Sequence, residues 1–295
     1  MTKVKKKPKG KLIAIGGKEA RSAEEGILAG NSSDSGPSGG SILNHVLAEM
    51  KGPASKIEII TTASEEPAEM AEMYIGAFEK LGCRQVGILD LDGRNVDSAR
   101  VHERLFAADG LFITGGDQAR LMEKLDGTAF FKAVKKRYQD DDFTIAGTSA
   151  GAMALSGVMI REGESTESLL KGIVEVTRGF GLLLDTIIDT HFMSRGRFSR
   201  LAEAILTHEG YTALGICENT ALVACEGGLL RAIGSGVVMV LEAGDVKATN
   251  FREAKNGQAI YVEGMQIHIL AQGAMYSLNE KKFMLLKQKN ENHNH

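Results

Sequence analysis

In the first half of the chain, short apolar runs alternate with segments whose apolar residues recur every three or four positions. The runs are typical of strands buried on both faces, and the periodic segments are typical of helices that bury one face. Strands are predicted at residues 11–17, 56–63, 85–91, 110–114 and 143–146, and helices at 66–81, 118–124 and 129–138. Strands separated by helices in this way predict an α/β fold with a mostly parallel central sheet and helices on both faces.

The pattern changes after about residue 183. A strand at 183–189 precedes a helix near 197–208, and short strands follow at 213–217, 221–225, 237–242 and 266–271. We interpret these strands as an antiparallel extension of the same sheet. This organisation predicts a flexible basic arm at residues 1–10, one α/β domain at 11–285 and a flexible tail at 286–295.

Composition and charge exclude several classes of protein. The chain is 43% hydrophobic and 25% charged, values that are typical of globular proteins. Its 35 basic and 38 acidic residues leave no general cationic field, so we expect no nucleic-acid partner. No apolar run approaches the ~20 residues of a membrane span, so we expect no membrane association. The three cysteines form no CxxC pair, which favours reduced thiols and a cytoplasmic location.

The strongest candidate for chemistry is the sequence Gly-Thr-Ser-Ala-Gly at residues 147–151. It follows a predicted buried strand and matches the G-x-S-x-G nucleophile elbow, in which the glycines allow a sharp turn from strand to helix. Ser149 is therefore the candidate nucleophile. A second match at residues 36–40 has no strand before it. A structural tight turn is the alternative reading of either match.

A serine hydroxyl needs a base within hydrogen-bond reach. His191 follows the predicted strand 183–189, at the carboxyl edge of the sheet where Ser149 is also expected. The remaining histidines fall in predicted helices or their flanks, in a late strand and in the tail: His45, His102, His208, His268, His293 and His295. His191 is therefore the candidate base.

The third member of such a site is a carboxylate that orients the imidazole. Glu218 lies between two predicted strands, at 213–217 and 221–225. Asp189 is the competitor, although it is only two residues from His191 and could serve the substrate instead. The order Ser–His–Glu differs from that of the α/β-hydrolases, so the elbow belongs to another scaffold.

Two further groups of residues surround these candidates. The glycine turn before Gln118 brings the backbone N–H of Gly116 to the same sheet edge, where it and the N–H of Ala150 could stabilise an oxyanion; a simple strand-to-helix turn is the alternative. Three arginines follow His191, at positions 195, 197 and 200. Their guanidinium groups suit bidentate recognition of carboxylates, although a basic helix surface would have the same sequence.

Four motifs in order carry a resemblance to a known family: GGDQ at 115–118, GTSAGA at 147–152, DTHFMSRGRFSRL at 189–201 and GICENTA at 215–221. Together they resemble the cyanophycinases, within the serine peptidase family that also contains the α-aspartyl dipeptidases. The resemblance covers roughly residues 10–278. It implies a class I glutamine amidotransferase-like fold with Ser149 as nucleophile, His191 as base and Glu218 as acid. It also implies a substrate pocket that includes Gln118, Asp189, Thr190, Arg195, Arg197 and Arg200.

The resemblance further implies the substrate. Cyanophycin is a polyaspartate chain with arginine on each side-chain carboxyl, and the family's enzymes release β-aspartyl-arginine dipeptides from it. The best-known members have glutamine where this chain has Thr190. A dipeptidase for other aspartyl or isoaspartyl peptides and a non-catalytic binding relative are therefore kept as alternatives. The resemblance also implies a homodimer. No G-x-G-x-x-G or P-loop motif occurs at a strand end, so we expect no nucleotide, and we expect no other cofactor and no metal.

Overall fold

The computed structural model describes residues 6–19, 41–165 and 168–284. The second G-x-S-x-G match, the two histidines of the tail and most of the predicted terminal arms lie outside these residues.

The described strands are, in chain order, β1 (Lys11–Ile15), β2 (Lys56–Ile60), β3 (Gln85–Leu89), β4 (Gly110–Ile113), β5 (Thr144–Thr148), β6 (Ser156–Gly163), β7 (Val174–Arg178), β8 (Leu183–Asp189), β9 (Thr212–Ile216), β10 (Thr220–Cys225), β11 (Leu229–Gly234), β12 (Val238–Glu242), β13 (Ala248–Thr249), β14 (Val262–Glu263), β15 (Gln266–Leu270), β16 (Met275–Ser277) and β17 (Lys282–Phe283). The described helices are α1 (Ile42–Ala48), α2 (Pro67–Lys80), α3 (Ala99–Ala107), α4 (Gln118–Leu125), α5 (Ala129–Asp140), α6 (Ala150–Ala154) and α7 (Phe198–Leu206), with a 3₁₀ turn at Gly52–Ala54.

The larger sheet has a parallel core, as the alternation of strands and helices predicts. Its strand order is β17-β16-β11-β10-β1-β5-β4-β2-β3 among the described residues. Going along this order from β1 through β5, β4 and β2 to β3, all neighbouring strands are parallel. Going the other way from β1 through β10, β11 and β16 to β17, all neighbouring strands are antiparallel. This arrangement confirms the predicted α/β class. Because parallel strands share a direction, the carboxyl ends of β1, β4 and β5 meet at one edge of the sheet.

A second sheet replaces part of the predicted extension. It has the order β15-β12-β9-β8-β6-β7 in the described chain, so the strands predicted at 183–189, 213–217, 237–242 and 266–271 do not join the first sheet. That prediction was wrong, and only the strand predicted at 221–225 pairs with β1. A buried apolar strand does not reveal its partner by its own pattern. The strand β6, against which β8 pairs, also alternates irregularly between buried and exposed positions and escaped prediction.

The core lies on both faces of the larger sheet, as the alternation along β1 shows. Ile13 packs on the face covered by α1 and α2, in the same cluster as Phe78 of α2. Leu12 points to the opposite face and belongs to the cluster that contains Ile187 and Leu214 of the second sheet. Since side chains of a strand alternate between faces, one strand serves both cores. The second sheet is thereby fixed against the first.

Candidate active site

Ser149 lies on a strained turn between β5 and α6. Its backbone has φ +52° and ψ −115°, a conformation that costs energy for any residue with a side chain. A Cβ atom on Gly147 would lie 2.5 Å from the carbonyl carbon of Gly151, and one on Gly151 would overlap the carbonyl oxygen of Ile113. Glycine is therefore needed on both sides, and the turn has the geometry that the G-x-S-x-G pattern predicts.

Ser149, His191 and Glu218 form a continuous chain of contacts. The Ser149 Oγ lies 3.1 Å from the His191 Nε2, and the His191 Nδ1 lies 2.7 Å from the Glu218 Oε1. A carboxylate only accepts hydrogen bonds, so Nδ1 carries the proton and Nε2 is left to accept the serine hydroxyl. The Glu218 carboxylate contacts the ring, and Asp189, its competitor, does not.

The three residues come from different parts of the fold. Ser149 follows β5 of the larger sheet, His191 follows β8 of the second sheet, and Glu218 lies in the turn that joins β9 of the second sheet to β10 of the first. Both sheets are therefore needed to assemble the chain of contacts.

The surroundings favour a neutral imidazole beside a charged carboxylate. Burial is the largest influence on His191 and lowers its pKa, which the hydrogen bond with Glu218 opposes only in part. Burial disfavours ionisation of Glu218, but hydrogen bonds from His191, Ser194 and Lys18 outweigh it and lower the pKa of Glu218 to about 2. At neutral pH the histidine can accept a proton and the glutamate is ionised.

The predicted oxyanion donors flank Ser149. Ala150 is the first residue of α6, and the Gly115–Gly116 turn follows β4. A Cβ atom on Gly115 would lie 3.3 Å from the Ser149 Cβ, so this turn borders the serine. In the part of the chain that the structure describes, neither the Gly116 nor the Ala150 N–H donates to a main-chain carbonyl. Their role as oxyanion donors stays a prediction.

The three arginines have different environments. Arg200 holds the Asp189 carboxylate with its Nε (2.6 Å) and its Nη2, and Arg197 adds a contact of 3.1 Å from its Nη1. Asp189 is 0% exposed. Its oxygens are buried and bound by these arginines, so a contact between Asp189 and the substrate stays a prediction. Arg195 is exposed and forms no ion pair with any described residue.

Gln118 and Thr190 both make contacts within the protein. The Gln118 amide donates to the carbonyls of Ile160 (3.1 Å) and Arg161 (2.8 Å), which ties the start of α4 to β6. Thr190 is fully buried, and its Oγ1 has no hydrogen-bond partner in the described residues. A contact of either residue with the substrate stays a prediction.

Sequence reasoning missed the turn after β1. The Lys18 Nζ lies 3.2 Å from the Glu218 Oε1, the oxygen that also contacts His191. Gly17 lies against the His191 ring so closely that a Cβ atom there would overlap it. The double glycine at the end of the first predicted strand was the available signal, because the carboxyl ends of parallel strands share one edge.

The described ranges contain neither a cluster of metal ligands nor a membrane-spanning helix. No cluster of three or more His, Cys, Asp and Glu side chains there has an arrangement that could ligate a metal ion. None of the described helices combines the length and the apolar character of a membrane span.

Comparisons with known proteins agree with this fold. The crystal structure of a peptidase from an acI-B1 Actinobacterium superposes with a TM-score of 0.61 over 91% of this chain and 96% of that chain, at 20% identity, which supports the fold alone. The cyanophycinase of Trichormus variabilis is 34% identical over 226 residues, 76% of either chain. The cyanophycinase of Synechococcus elongatus is 32% identical over 271 residues, 92% of this chain and 80% of the relative.

These likenesses define first a class and then a family. The chain is a peptidase with an α/β fold. The model of "Peptidase family S51" matches residues 27–231, and the chain belongs to that family.

Proposed function

We propose that this chain is a serine exopeptidase that degrades cyanophycin to β-aspartyl-arginine dipeptides through an acyl-enzyme on Ser149. The observation that carries the proposal is the contact chain from the Ser149 Oγ through the His191 ring to the Glu218 Oε1, at a strained elbow. The two relatives at 32–34% identity are cyanophycinases, which supports the choice of cyanophycin as substrate.

In the proposed reaction, the Ser149 Oγ attacks the scissile carbonyl carbon while His191 Nε2 takes the hydroxyl proton. The N–H groups of Gly116 and Ala150 stabilise the oxyanion that forms. Collapse of this intermediate breaks the C–N bond, and the amine leaves with the proton from His191. Water, activated by the same ring, then hydrolyses the ester on Ser149. Glu218 holds the tautomer and stabilises the imidazolium throughout.

The arginines divide the proposed recognition of substrate. Arg195 is exposed, and its backbone N–H donates to the His191 carbonyl (3.0 Å), so its guanidinium lies on the loop that carries the base. We assign it to the free carboxylates of a polyaspartyl backbone, which a guanidinium binds in bidentate fashion. Arg197 donates to the Thr190 carbonyl (2.8 Å) as well as to Asp189, and acts by fixing this loop.

The test is to incubate the purified protein with insoluble cyanophycin and to identify the products by mass spectrometry. We expect β-aspartyl-arginine from the wild type, and a turnover about 10⁴-fold lower from Ser149→Ala. Cleavage of short aspartyl peptides but not of the polymer would favour a dipeptidase. Near-normal turnover by a folded Ser149→Ala would contradict the proposed nucleophile.

A further inference from the structure

The segment that continues β1 surrounds the contact chain described above. We call residues 15–19 the β1 extension. Its carbonyls accept hydrogen bonds from the N–H of Ser149 (to Ile15, 3.0 Å), of His191 (to Gly16, 2.8 Å) and of Asn219 (to Gly17, 2.9 Å). The next residue, Lys18, reaches the Glu218 carboxylate. Successive residues of one segment therefore contact all three proposed catalytic residues or their neighbours.

The β1 extension ends at Glu19, a buried carboxylate that the proposed mechanism does not use. Glu19 is 4% exposed. Its Oε2 accepts a hydrogen bond from the Thr148 hydroxyl (2.9 Å), and its Oε1 accepts one from the Tyr74 hydroxyl. No described basic side chain forms an ion pair with it. A buried carboxylate is costly unless it is hydrogen-bonded, so both donors matter.

The partners of Glu19 connect it to the nucleophile and to the core. Thr148 is the residue immediately before Ser149, and it is itself buried. Tyr74 lies on α2, with its ring centroid 4.7 Å from that of Phe112 on β4. The carboxylate therefore joins the strained elbow and the end of the β1 extension to a packed helix.

We infer that Glu19 is a positioning residue for the proposed serine, histidine and glutamate. The β1 ladder fixes the start of the β1 extension at Ile15, and Glu19 fixes its other end. Between them lie Gly16 and Gly17, which have little stiffness of their own. Without Glu19 the carbonyls that hold His191 and Asn219 lose their anchor, and the elbow loses a tie beside a strained φ. A misplacement of about 1 Å at reacting atoms costs up to about 10²-fold in rate.

The chain offers a matched control in the second sheet. Glu242 is 5% exposed and accepts hydrogen bonds from the hydroxyls of Thr212 (3.2 Å) and Tyr276 (2.7 Å). It has the same kinds of donors as Glu19. Glu242 pairs with Thr212 at the start of β9, whereas Glu218 follows the end of that strand. Replacements there remove the same chemistry at the far end of β9.

The experiment compares Glu19→Gln with Glu242→Gln, and Thr148→Val with Thr212→Val, in the full chain. For each variant, kcat and KM are measured on a soluble β-aspartyl-arginine oligomer, together with Tm. We expect similar losses of Tm within each pair, but a fall in kcat of about ten- to hundredfold only for Glu19→Gln and Thr148→Val, with KM within about twofold of wild type. Thr148→Ser retains the hydroxyl and should recover most of the lost rate.

The inference rests on the proposed function, so a second readout separates the two. The rate at which a fluorophosphonate labels Ser149 needs no knowledge of the natural substrate. If the wild type and Ser149→Ala react alike, the proposed nucleophile is wrong and the inference falls with it. If the wild type is labelled at Ser149 and Glu19→Gln is labelled at the same rate, only the inference is overturned. The inference is also overturned if the variants of Glu242 and Thr212 lose as much kcat as those of Glu19 and Thr148, since Glu19 would then act only on stability. A rise in KM without a fall in kcat would make Glu19 a substrate contact.

Discussion

The replacement of Arg200 by alanine would separate stability from recognition. In the folded protein the Asp189 carboxylate is completely buried and receives two contacts from Arg200. A third contact, from the Arg200 Nη1 to the Gly163 carbonyl (3.0 Å), ties the β6 end to α7. Arg200→Ala leaves Asp189 with Arg197 and with the backbone N–H of Thr190 (2.9 Å), and it leaves the Gly163 carbonyl without this donor.

The size of the effect follows from these contacts. Removing one partner of a buried ion pair costs about 3–5 kcal/mol of unfolding free energy, because the remaining charge stays buried. Arg197 remains at 3.1 Å, so we expect the lower end, about 3 kcal/mol. At roughly 2 °C per kcal/mol for a chain of this size, Tm should fall by about 6 °C. Arg200→Lys keeps the charge but lacks the planar guanidinium group, so its unfolding free energy should lie between those of the wild type and Arg200→Ala.

Arg195→Ala is the matched comparison. This side chain is exposed and has no described ion pair, so its loss should change the unfolding free energy by less than about 0.5 kcal/mol. If it binds a substrate carboxylate, kcat/KM should fall about ten- to hundredfold, which corresponds to roughly 1.5–3 kcal/mol.

Urea unfolding and steady-state kinetics on the same preparations decide between these expectations. We expect Arg200→Ala to lose mainly stability and Arg195→Ala to lose mainly kcat/KM. An unchanged free energy of unfolding for Arg200→Ala combined with a raised KM would refute this expectation, since Arg200 would then serve the substrate and not Asp189. Wild-type kinetics for Arg195→Ala would remove the proposed carboxylate contact.

Three further predictions concern the ionisable pair of His191 and Glu218. Glu218→Gln should keep the fold, as circular dichroism would show, but lower kcat by about 10³–10⁴-fold. An amide that donates a hydrogen bond to the His191 Nδ1 selects the tautomer whose Nε2 is protonated and cannot accept the serine proton. A near-normal kcat would contradict the role of Glu218. In a pH–rate profile, the acidic limb of kcat/KM should lie below pH 6.5, because burial lowers the pKa of His191 and the neutral base survives to lower pH; a limb above pH 6.5 would contradict this. The pKa of Glu218 in the folded protein is about 2, below its value in the unfolded chain. Its contribution to stability is therefore present above about pH 4.3 and is lost as the pH falls towards 2. In urea unfolding, the difference in stability between wild type and Glu218→Gln should shrink over the same pH range.

The sequence allowed much of this site to be predicted because the signals were local. The glycines around Ser149 have a steric requirement that the pattern states directly. His191 and Glu218 were found because each follows a strand, and strand ends converge at one edge. The parallel core followed from alternating strands and helices for the same reason.

What escaped prediction depends on partners distant in the sequence. Nothing in the local pattern of residues 183–189 says whether that strand joins the first sheet or starts another. The pairing of Asp189 with Arg200 depends on helix α7, which brings Arg200 onto the end of β8, and no local pattern states this. Lys18 and Glu19 were missed because Glu218 and Thr148, which they contact at the site, lie more than a hundred residues away.

The division of the contact chain between two sheets makes the site sensitive to the interface that joins them. Ser149 follows β5 of the larger sheet, His191 follows β8 of the second sheet, and the fully buried helix α6 begins at Ala150, directly after the serine. Sliding of one layer over the other by a fraction of a side-chain diameter would separate Oγ from Nε2 while nearly all secondary structure persists. On gradual heating, we therefore expect activity to be lost before the circular-dichroism signal. Turnover would then detect the displacement of one sheet relative to the other before the chain as a whole unfolds.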